Sequence, residues 1–123
     1  MAQLKRTLFA QVLHGARCSA KGLCAGWHAE PALRYELCAL PVVLPLGWWL
    51  GQEGVERALL LGSAVFVIVI ELINSAIESA IDRIGPEPHE LSGRAKDLGA
   101  AAVFCSIVMA VMVWVLITLR VVH

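Results

Sequence analysis

The sequence contains few charged residues. Only 16% of its 123 residues are Asp, Glu, Lys or Arg, and the ten acidic and ten basic residues cancel to a formal net charge of zero. Soluble domains carry about 25% charged residues, and a small domain needs more polar surface than a large one because its surface-to-volume ratio is higher. The composition therefore excludes disorder and a nucleic-acid-coating role, and it argues against a soluble monomer.

Disulfide and metal-binding patterns are also missing. The sequence has four cysteines, Cys18, Cys24, Cys38 and Cys105. They form no Cys-x-x-Cys pair, and we interpret them as free thiols that serve as small apolar residues. His14, His28 and His123 are isolated along the chain, so they predict no zinc site. The nucleotide-binding patterns of P-loop proteins, dinucleotide-binding folds and protein kinases are absent as well.

Three segments are predicted to cross a membrane. The clearest is 98–120, in which 22 consecutive residues carry no charge. As a helix these 22 residues measure about 33 Å, which exceeds the roughly 30 Å of a hydrocarbon core. Residues 31–51 predict a second span despite two internal prolines, because neighbouring helices can satisfy the freed backbone groups. Residues 56–84 predict a third span. The first part of this segment is an apolar run, and the same helix continues into a second part that contains charged residues.

The first 27 residues predict a basic amphipathic helix. On a helical wheel Leu4, Leu8 and Val12 lie on one half, whereas Arg17 and Lys21 lie on the other. Such a helix is suited to lie in the headgroup layer of a membrane.

The positions of the basic residues predict the orientation. Eight of the ten Lys and Arg residues lie in 1–34 and 82–97, and only two lie elsewhere. By the positive-inside rule, the N-terminus and the 85–97 loop are cytoplasmic, and three spans then place the C-terminus outside.

A polar face within the 56–84 helix is the strongest anomaly. Glu71, Asn74, Glu78 and Asp82 line one side of this helix over about 16 Å of rise. An ionisable residue inside a span costs about 2.5–3.5 kcal/mol on insertion scales, so such residues usually mark a site. The loop that follows contains further polar residues, Glu87, His89, Glu90, Ser92, Arg94, Lys96 and Asp97. Its basic groups suit a polyphosphate, and its acidic groups suit a divalent cation bound to that phosphate.

Two stretches, ELINSAIESAIDRIG at 71–85 and HELSGRAKDLGAAAV at 89–103, carry a family resemblance. Together with the order of the helices, they resemble the small bacterial integral-membrane diacylglycerol kinases, a family that includes undecaprenol kinases. The resemblance implies an all-α homotrimer in the bacterial inner membrane, with an N-terminal surface helix, three transmembrane helices and active sites between subunits. It implies transfer of the γ-phosphoryl of Mg-ATP to a diacylglycerol hydroxyl, and no nucleic-acid partner.

The resemblance also implies roles for individual residues. It makes Glu71 the catalytic base and Asn74 a second catalytic residue, with Glu30 and Glu78 as magnesium ligands. The nucleotide-binding residues that it implies are Glu87, Pro88, His89, Lys96, Asp97, Gln11 and Cys18. The lipid-substrate residues that it implies are Ser19, Arg34, Glu36, Trp49, Arg57, Ala100 and Trp114. The chemistry agrees, because a lipid hydroxyl is a poor nucleophile until a base accepts its proton.

Some positions depart from the family. Gln11 stands in place of a nucleotide-contacting arginine, Cys18 in place of an aromatic residue, and Ala20 in place of a tryptophan. Ala100 stands where some members have serine. These departures bear on ATP affinity and lipid preference more than on the reaction.

Two other functions remain open from the sequence. One is an undecaprenol kinase of the same family. The other is a non-enzymatic small oligomeric membrane protein, in which the carboxylate face lines a pathway and the 82–97 segment binds no nucleotide.

Overall fold

The computed structural model describes all 123 residues as four helices joined by short connections. Helix α1 spans Ala2–Ala29, α2 Pro31–Leu50, α3 Gly54–Ile84 and α4 Glu90–Val122. The all-helical prediction is confirmed. The bounds of the first three helices lie within two residues of the segments expected from the sequence.

The predicted loop at 85–97 is wrong over most of its length. Because α4 begins at Glu90, the connection from α3 comprises only residues 85–89. The side chain of His89 caps the new helix, where its Nδ1 accepts a hydrogen bond from the Leu91 amide at 3.0 Å. Arg94 then pairs with Glu90 one turn earlier, at 3.2 Å. The charged residues that suggested a loop therefore lie on the exposed first turns of a helix.

Two of the helices, α3 and α4, are long and apolar enough to cross a membrane by length and composition. Helix α2 is not among them, so the third span stays a prediction. Only 11 of the 123 residues are buried within the chain, and all four helices expose large apolar side chains. A chain with so small a core leaves most of its apolar surface for lipid or for neighbouring chains.

Helices α3 and α4 form an antiparallel pair that is tied at both ends. At one end Arg120, in the last turn of α4, pairs with Glu56, in the first turn of α3. At the other end Lys96 Nζ donates to Asp82 Oδ1 at 3.1 Å. The short five-residue connection and these two pairs fix the register of the hairpin.

Helix α2 packs antiparallel to α3. Near the end of α2, a Cβ atom on Gly47 would lie 3.2 Å from Leu61 Cδ2 and 3.3 Å from Trp114 Cη2, so this glycine permits close packing. Near the start of α2, the fully buried Leu33 packs against Gly26 of α1. The start of α2 therefore lies beside the second half of α3, and α1 returns to the same end of the molecule.

Filling the space at Gly47 is expected to destabilise the fold. Gly47→Val adds side-chain atoms where even one carbon is tightly packed, and such overpacking costs about 1–3 kcal/mol. Gly62→Val is the matched control, because a Cβ on Gly62 meets nothing within 4 Å. Thermal unfolding in detergent micelles, followed by circular dichroism, measures both. Equal unfolding temperatures for the two variants would contradict the packing described here.

Candidate active site

Glu30 lies at the corner between α1 and α2 because a proline follows it. A residue before proline is driven from helical to extended backbone, and Glu30 has φ −119° and ψ 104°. Pro31 then occupies the first turn of α2, where its missing N–H costs no helical hydrogen bond. The local sequence thus breaks the helix at Glu30, and the Glu30 side chain lines the groove between α1 and α3.

Glu71 is the only buried charged side chain, with 7% of its surface exposed. It lies in the middle of α3, beside the corner at Glu30. The carboxylates of Glu30, Glu36 and Glu78 are all within electrostatic reach of it. Three acidic side chains, one each from α2, α3 and the helix corner, therefore lie around Glu71 at one end of the bundle. We call these four residues the carboxylate cluster.

Asn74 links this cluster to α4. Its Nδ2 donates to Glu78 Oε1 at 3.4 Å. Its Oδ1 is buried without a hydrogen-bond partner, and it lies so close to Gly99 of α4 that a Cβ there would overlap it. The missing side chain at Gly99 is therefore what lets α4 approach Asn74.

A cleft of about 510 Å³ opens between α1 and α3 beside Glu30. Small side chains line most of it, with Leu23 and Leu72 as the large apolar members. The Ser75 hydroxyl is buried there without a partner. An elongated groove with apolar walls and a few polar groups suits an amphiphile such as a lipid headgroup with its first methylene groups.

A second crevice, of about 290 Å³, lies among α2, α3 and α4. Its walls are almost entirely apolar, and Glu36 is its one charged residue. One carboxylate oxygen of Glu36 is buried and has no partner. The polar end of this crevice is therefore also part of the carboxylate cluster.

The turn between α3 and α4 lies at the same end of the molecule. Gly85 ends α3 with φ +152°, a conformation that L side chains rarely adopt, and Glu87 lies directly beside it. His89 uses its Nδ1 to cap α4, which leaves Nε2 free. The ammonium group of Lys96 is paired with Asp82, and the Lys96 side chain is about half exposed.

Some of the sequence-predicted site residues lie away from the carboxylate cluster. Trp49 and Arg57 are at the opposite end, since Arg57 is about 21 Å of helical rise from Glu71. Arg57 Nε donates to the carbonyls of Trp48 (3.0 Å) and Gly51 (3.2 Å), which would otherwise be unpaired at the end of α2. The remaining predicted residues fall into three groups. Trp114 also lies at that far end, and Ser19 lines the cleft between α1 and α3 beside Glu30. The others are exposed: Gln11, Cys18, Arg34, Asp97 and Ala100.

Gly99 and Ser75 were missed by the sequence reasoning. An isolated glycine inside a helix can mark a packing site, but Gly62 is equally isolated in the sequence and meets nothing within 4 Å, so the sequence alone does not single out Gly99. Ser75 is next to Asn74, and no sequence pattern marks it as a site residue.

Comparison with known proteins identifies the family. The family described as prokaryotic diacylglycerol kinase matches residues 17–118. This chain belongs to that family. It is 45% identical over 108 residues to the diacylglycerol kinase of Escherichia coli (strain K12), which covers 88% of each chain. It is 39% identical over 110 residues to that of Haemophilus influenzae, which covers 89% of this chain and 93% of the relative.

Membership of the prokaryotic diacylglycerol kinase family confirms the resemblance seen in the sequence. It makes the chain a member of a family of kinases, and with two long apolar helices it makes the chain a membrane protein. A third relative, from Pseudomonas aeruginosa, is 34% identical over 109 residues and shares the same name.

The donors of the carboxylate cluster fit the magnesium ion that a kinase of this family implies. Mg²⁺ prefers oxygen ligands and is usually bound by one or two carboxylates plus substrate phosphates. No three His, Cys, Asp or Glu side chains are gathered closely enough to form a metal cage. Glu30 and Glu78, each partly exposed, therefore suit a metal that arrives with phosphate oxygens as its other ligands.

The contact between Gly99 and Asn74 predicts a specific sensitivity. Gly99→Ala is expected to destabilise the helix pair by about 1–3 kcal/mol, because the new methyl group overlaps the Asn74 amide. Gly93→Ala on the same helix is the control, since its Cβ meets nothing and alanine favours a helix by about 1 kcal/mol. Thermal unfolding in detergent micelles measures both effects.

A double-mutant cycle separates this clash from a general loss of helix packing. Asn74→Ala removes the overlapping amide, so its combination with Gly99→Ala should be less destabilising than the sum of the two single changes. Strict additivity would show that the two residues do not meet.

Proposed function

We propose that this chain transfers the γ-phosphoryl group of Mg-ATP to the hydroxyl of 1,2-diacylglycerol, giving phosphatidate and ADP. The reaction takes place at the cytoplasmic surface of the bacterial inner membrane. One observation carries the proposal for this family member. The single buried charge of the chain, Glu71, lies in an apolar helix. It directly precedes Leu72, which lines the cleft between α1 and α3, and it is within electrostatic reach of Glu30, which lines the same cleft.

The position of Glu71 along α3 suits a lipid hydroxyl. If the outer edge of the hydrocarbon is near Arg57, a core of roughly 30 Å takes about 20 residues and ends near Ile77. Glu71 is then about 9 Å inside the cytoplasmic boundary. At this depth an interfacial hydroxyl can approach the carboxylate while the acyl chains stay in the hydrocarbon.

In the proposed mechanism Glu71 accepts the proton of the lipid hydroxyl as that oxygen attacks the γ-phosphorus. A carboxylate withdrawn from water is a better base than an exposed one, as a general rule. The transition state of phosphoryl transfer is loose, so positioning the hydroxyl contributes as much as removing its proton. The cleft between α1 and α3 provides that positioning.

Glu30 and Glu78 would hold Mg²⁺, and the Asn74 amide fixes the orientation of Glu78 through one of its carboxylate oxygens. Bound there, the ion supplies charge neutralisation to the phosphates of ATP. Since it would sit among carboxylates that repel one another, its binding also relieves the electrostatic cost of the cluster.

Lys96 would neutralise charge on the transferred phosphoryl group. In this structure its ammonium group is paired with Asp82, and both side chains are largely in contact with solvent. An exposed ion pair contributes little stability, about 0–1 kcal/mol. ATP can therefore replace Asp82 as the partner of Lys96 at little cost, while Glu87, Pro88 and His89 in the adjoining turn contact the nucleotide.

The proposal is tested by assaying the purified chain in nanodiscs with Mg-ATP and either diacylglycerol or undecaprenol. We expect phosphatidate from diacylglycerol. Glu71→Gln should lower its formation by about 10²–10⁴-fold, the usual contribution of a general base. Glu53→Gln is the matched control at the far end of α3, where Glu53 is exposed and its side chain makes no capping hydrogen bond.

The same assay distinguishes the two alternatives. Transfer to undecaprenol alone would replace the proposed substrate with the second lipid. If neither lipid releases ADP, both kinase assignments fail and a non-enzymatic membrane protein remains. Full activity of Glu71→Gln would leave the kinase standing but remove the proposed base.

The active form is proposed to be a homotrimer with three cytoplasm-facing sites and three spans per chain. What supports this is the small core and the amount of apolar surface left uncovered, including Phe9 and Val12 on α1 and Phe104 on α4. Chemical cross-linking in mild detergent should yield dimers and trimers and then stop. Only monomers, or a ladder that continues past three, would contradict a closed trimer. Protein denatured before cross-linking is the control.

A further inference from the structure

The Ser75 hydroxyl is a buried hydrogen-bond donor that the chain itself leaves unused. A serine within a helix can donate to the carbonyl three or four residues earlier. Ser19, Ser63 and Ser106 do so, at 2.8, 3.1 and 2.7 Å. The Ser75 oxygen is buried and makes no such bond. Because burying a hydroxyl without a partner is costly, this exception calls for an explanation.

Only one of the three buried side-chain atoms without a partner carries a hydrogen atom. Asn74 Oδ1 is an amide acceptor, and the Glu36 carboxylate oxygen is an acceptor when ionised. The Ser75 oxygen is the one that can donate, and none of the nearby carboxylates accepts its hydrogen. We conclude that the acceptor for Ser75 arrives with a bound ligand.

Ser75 lies between the proposed base and the proposed metal ligands. On α3 it follows Glu71 by four residues and precedes Glu78 by three. Residues at these spacings are neighbours on a helix surface, with Cβ atoms about 5–6 Å apart. Ser75 also lines the cleft between α1 and α3, as Glu30 does. A group that passes from a nucleotide to a lipid at this end of the molecule therefore passes beside Ser75.

We propose that the Ser75 hydroxyl donates a hydrogen bond to an oxygen of the phosphoryl group that is transferred. This inference rests on the proposed function. In the reaction the lipid oxygen forms a bond to the γ-phosphorus, the bond from that phosphorus to the bridging oxygen of ATP breaks, and Glu71 takes the hydroxyl proton. Ser75 keeps its own proton and stabilises charge on one non-bridging oxygen.

The substrates offer a second acceptor, the ester carbonyls of the lipid, but their depth does not match Ser75. While the acyl chains stay in the hydrocarbon, the ester groups lie deeper than the hydroxyl that reacts at Glu71. Ser75 is one turn, about 6 Å, nearer the cytoplasmic end of α3 than Glu71 is. The phosphoryl group approaches from that end, so its oxygens are the acceptors on the Ser75 side.

Ser75→Ala in nanodiscs tests this role. We expect kcat/KM for Mg-ATP to fall about 10–100-fold, the usual effect of losing a hydrogen bond to a charged group. The affinity for Mg-ADP, measured by titration calorimetry, should be unchanged because ADP lacks the transferred group. The unfolding temperature should not fall, since the hydroxyl makes no bond within the chain. An unchanged kcat/KM, or an equal loss of ADP affinity, would overturn the proposal.

A second lipid separates the phosphoryl oxygen from the ester carbonyl as the acceptor. A dialkylglycerol ether has the same hydroxyl as diacylglycerol but no ester carbonyl. Ser75→Ala should lower kcat/KM by the same factor with both lipids, because the transferred group is the same. A loss confined to diacylglycerol would show that Ser75 binds a carbonyl and would contradict the assignment.

Ser79 provides a matched control on the same face of α3. It follows Ser75 by one turn and lines the same cleft, but its side chain is exposed. Ser79→Ala should keep the wild-type kcat/KM. A loss in Ser79→Ala and not in Ser75→Ala would move the contact to Ser79. If the wild-type chain phosphorylates neither lipid, the proposed function itself fails, whereas an active chain that Ser75→Ala matches removes only the role of Ser75.

Discussion

The close approach of α3 and α4 at Gly99 is the contact on which the geometry of the site depends. With no side chain on Gly99, the amide of Asn74 fits against the backbone of α4. From there the same amide reaches Glu78 and fixes one of its carboxylate oxygens. A hydrogen bond between side chains one turn apart holds its geometry only if one partner is itself held by packing. The helix pair therefore sets the position of a proposed metal ligand through one small residue.

The second constraint is electrostatic. Four carboxylates converge because three independent features direct them to one end. The proline after Glu30 makes a corner, the antiparallel packing of α2 carries Glu36 back beside α3, and the helical period places Glu71 and Glu78 on one face. Mutual repulsion makes this arrangement costly in the free chain. In the proposed reaction, a cation that binds with the substrate phosphates would remove this repulsion, which favours uptake of a metal–nucleotide complex over either component alone.

Hydrophobic periodicity and helix-breaking residues were enough to predict the four helices and the polar face of α3. The predicted end of the helix at residue 84 is confirmed, because the conformational freedom of glycine at position 85 acts locally. The first turns of α4 were misjudged because charge density does not distinguish a loop from an exposed helix, and the His89 cap depends on the side-chain geometry at one position. The contacts of Gly99 and of Arg57 could not be predicted, since both depend on which helix faces which.

The two ends of the molecule differ in how completely their polar groups are paired. At the far end, Arg57 satisfies two terminal carbonyls of α2, the Trp114 indole donates to the Leu60 carbonyl at 3.2 Å, and Arg120 meets Glu56. All three buried side-chain atoms without a partner lie at the other end, on Glu36, Asn74 and Ser75. Buried polar groups are normally paired, and an unpaired one calls for an explanation such as a catalytic role or an absent ligand. These unpaired atoms are confined to the end that holds Glu71. We infer that bound substrate supplies the missing polar contacts at that end, whereas at the far end the polar groups are already paired within the chain.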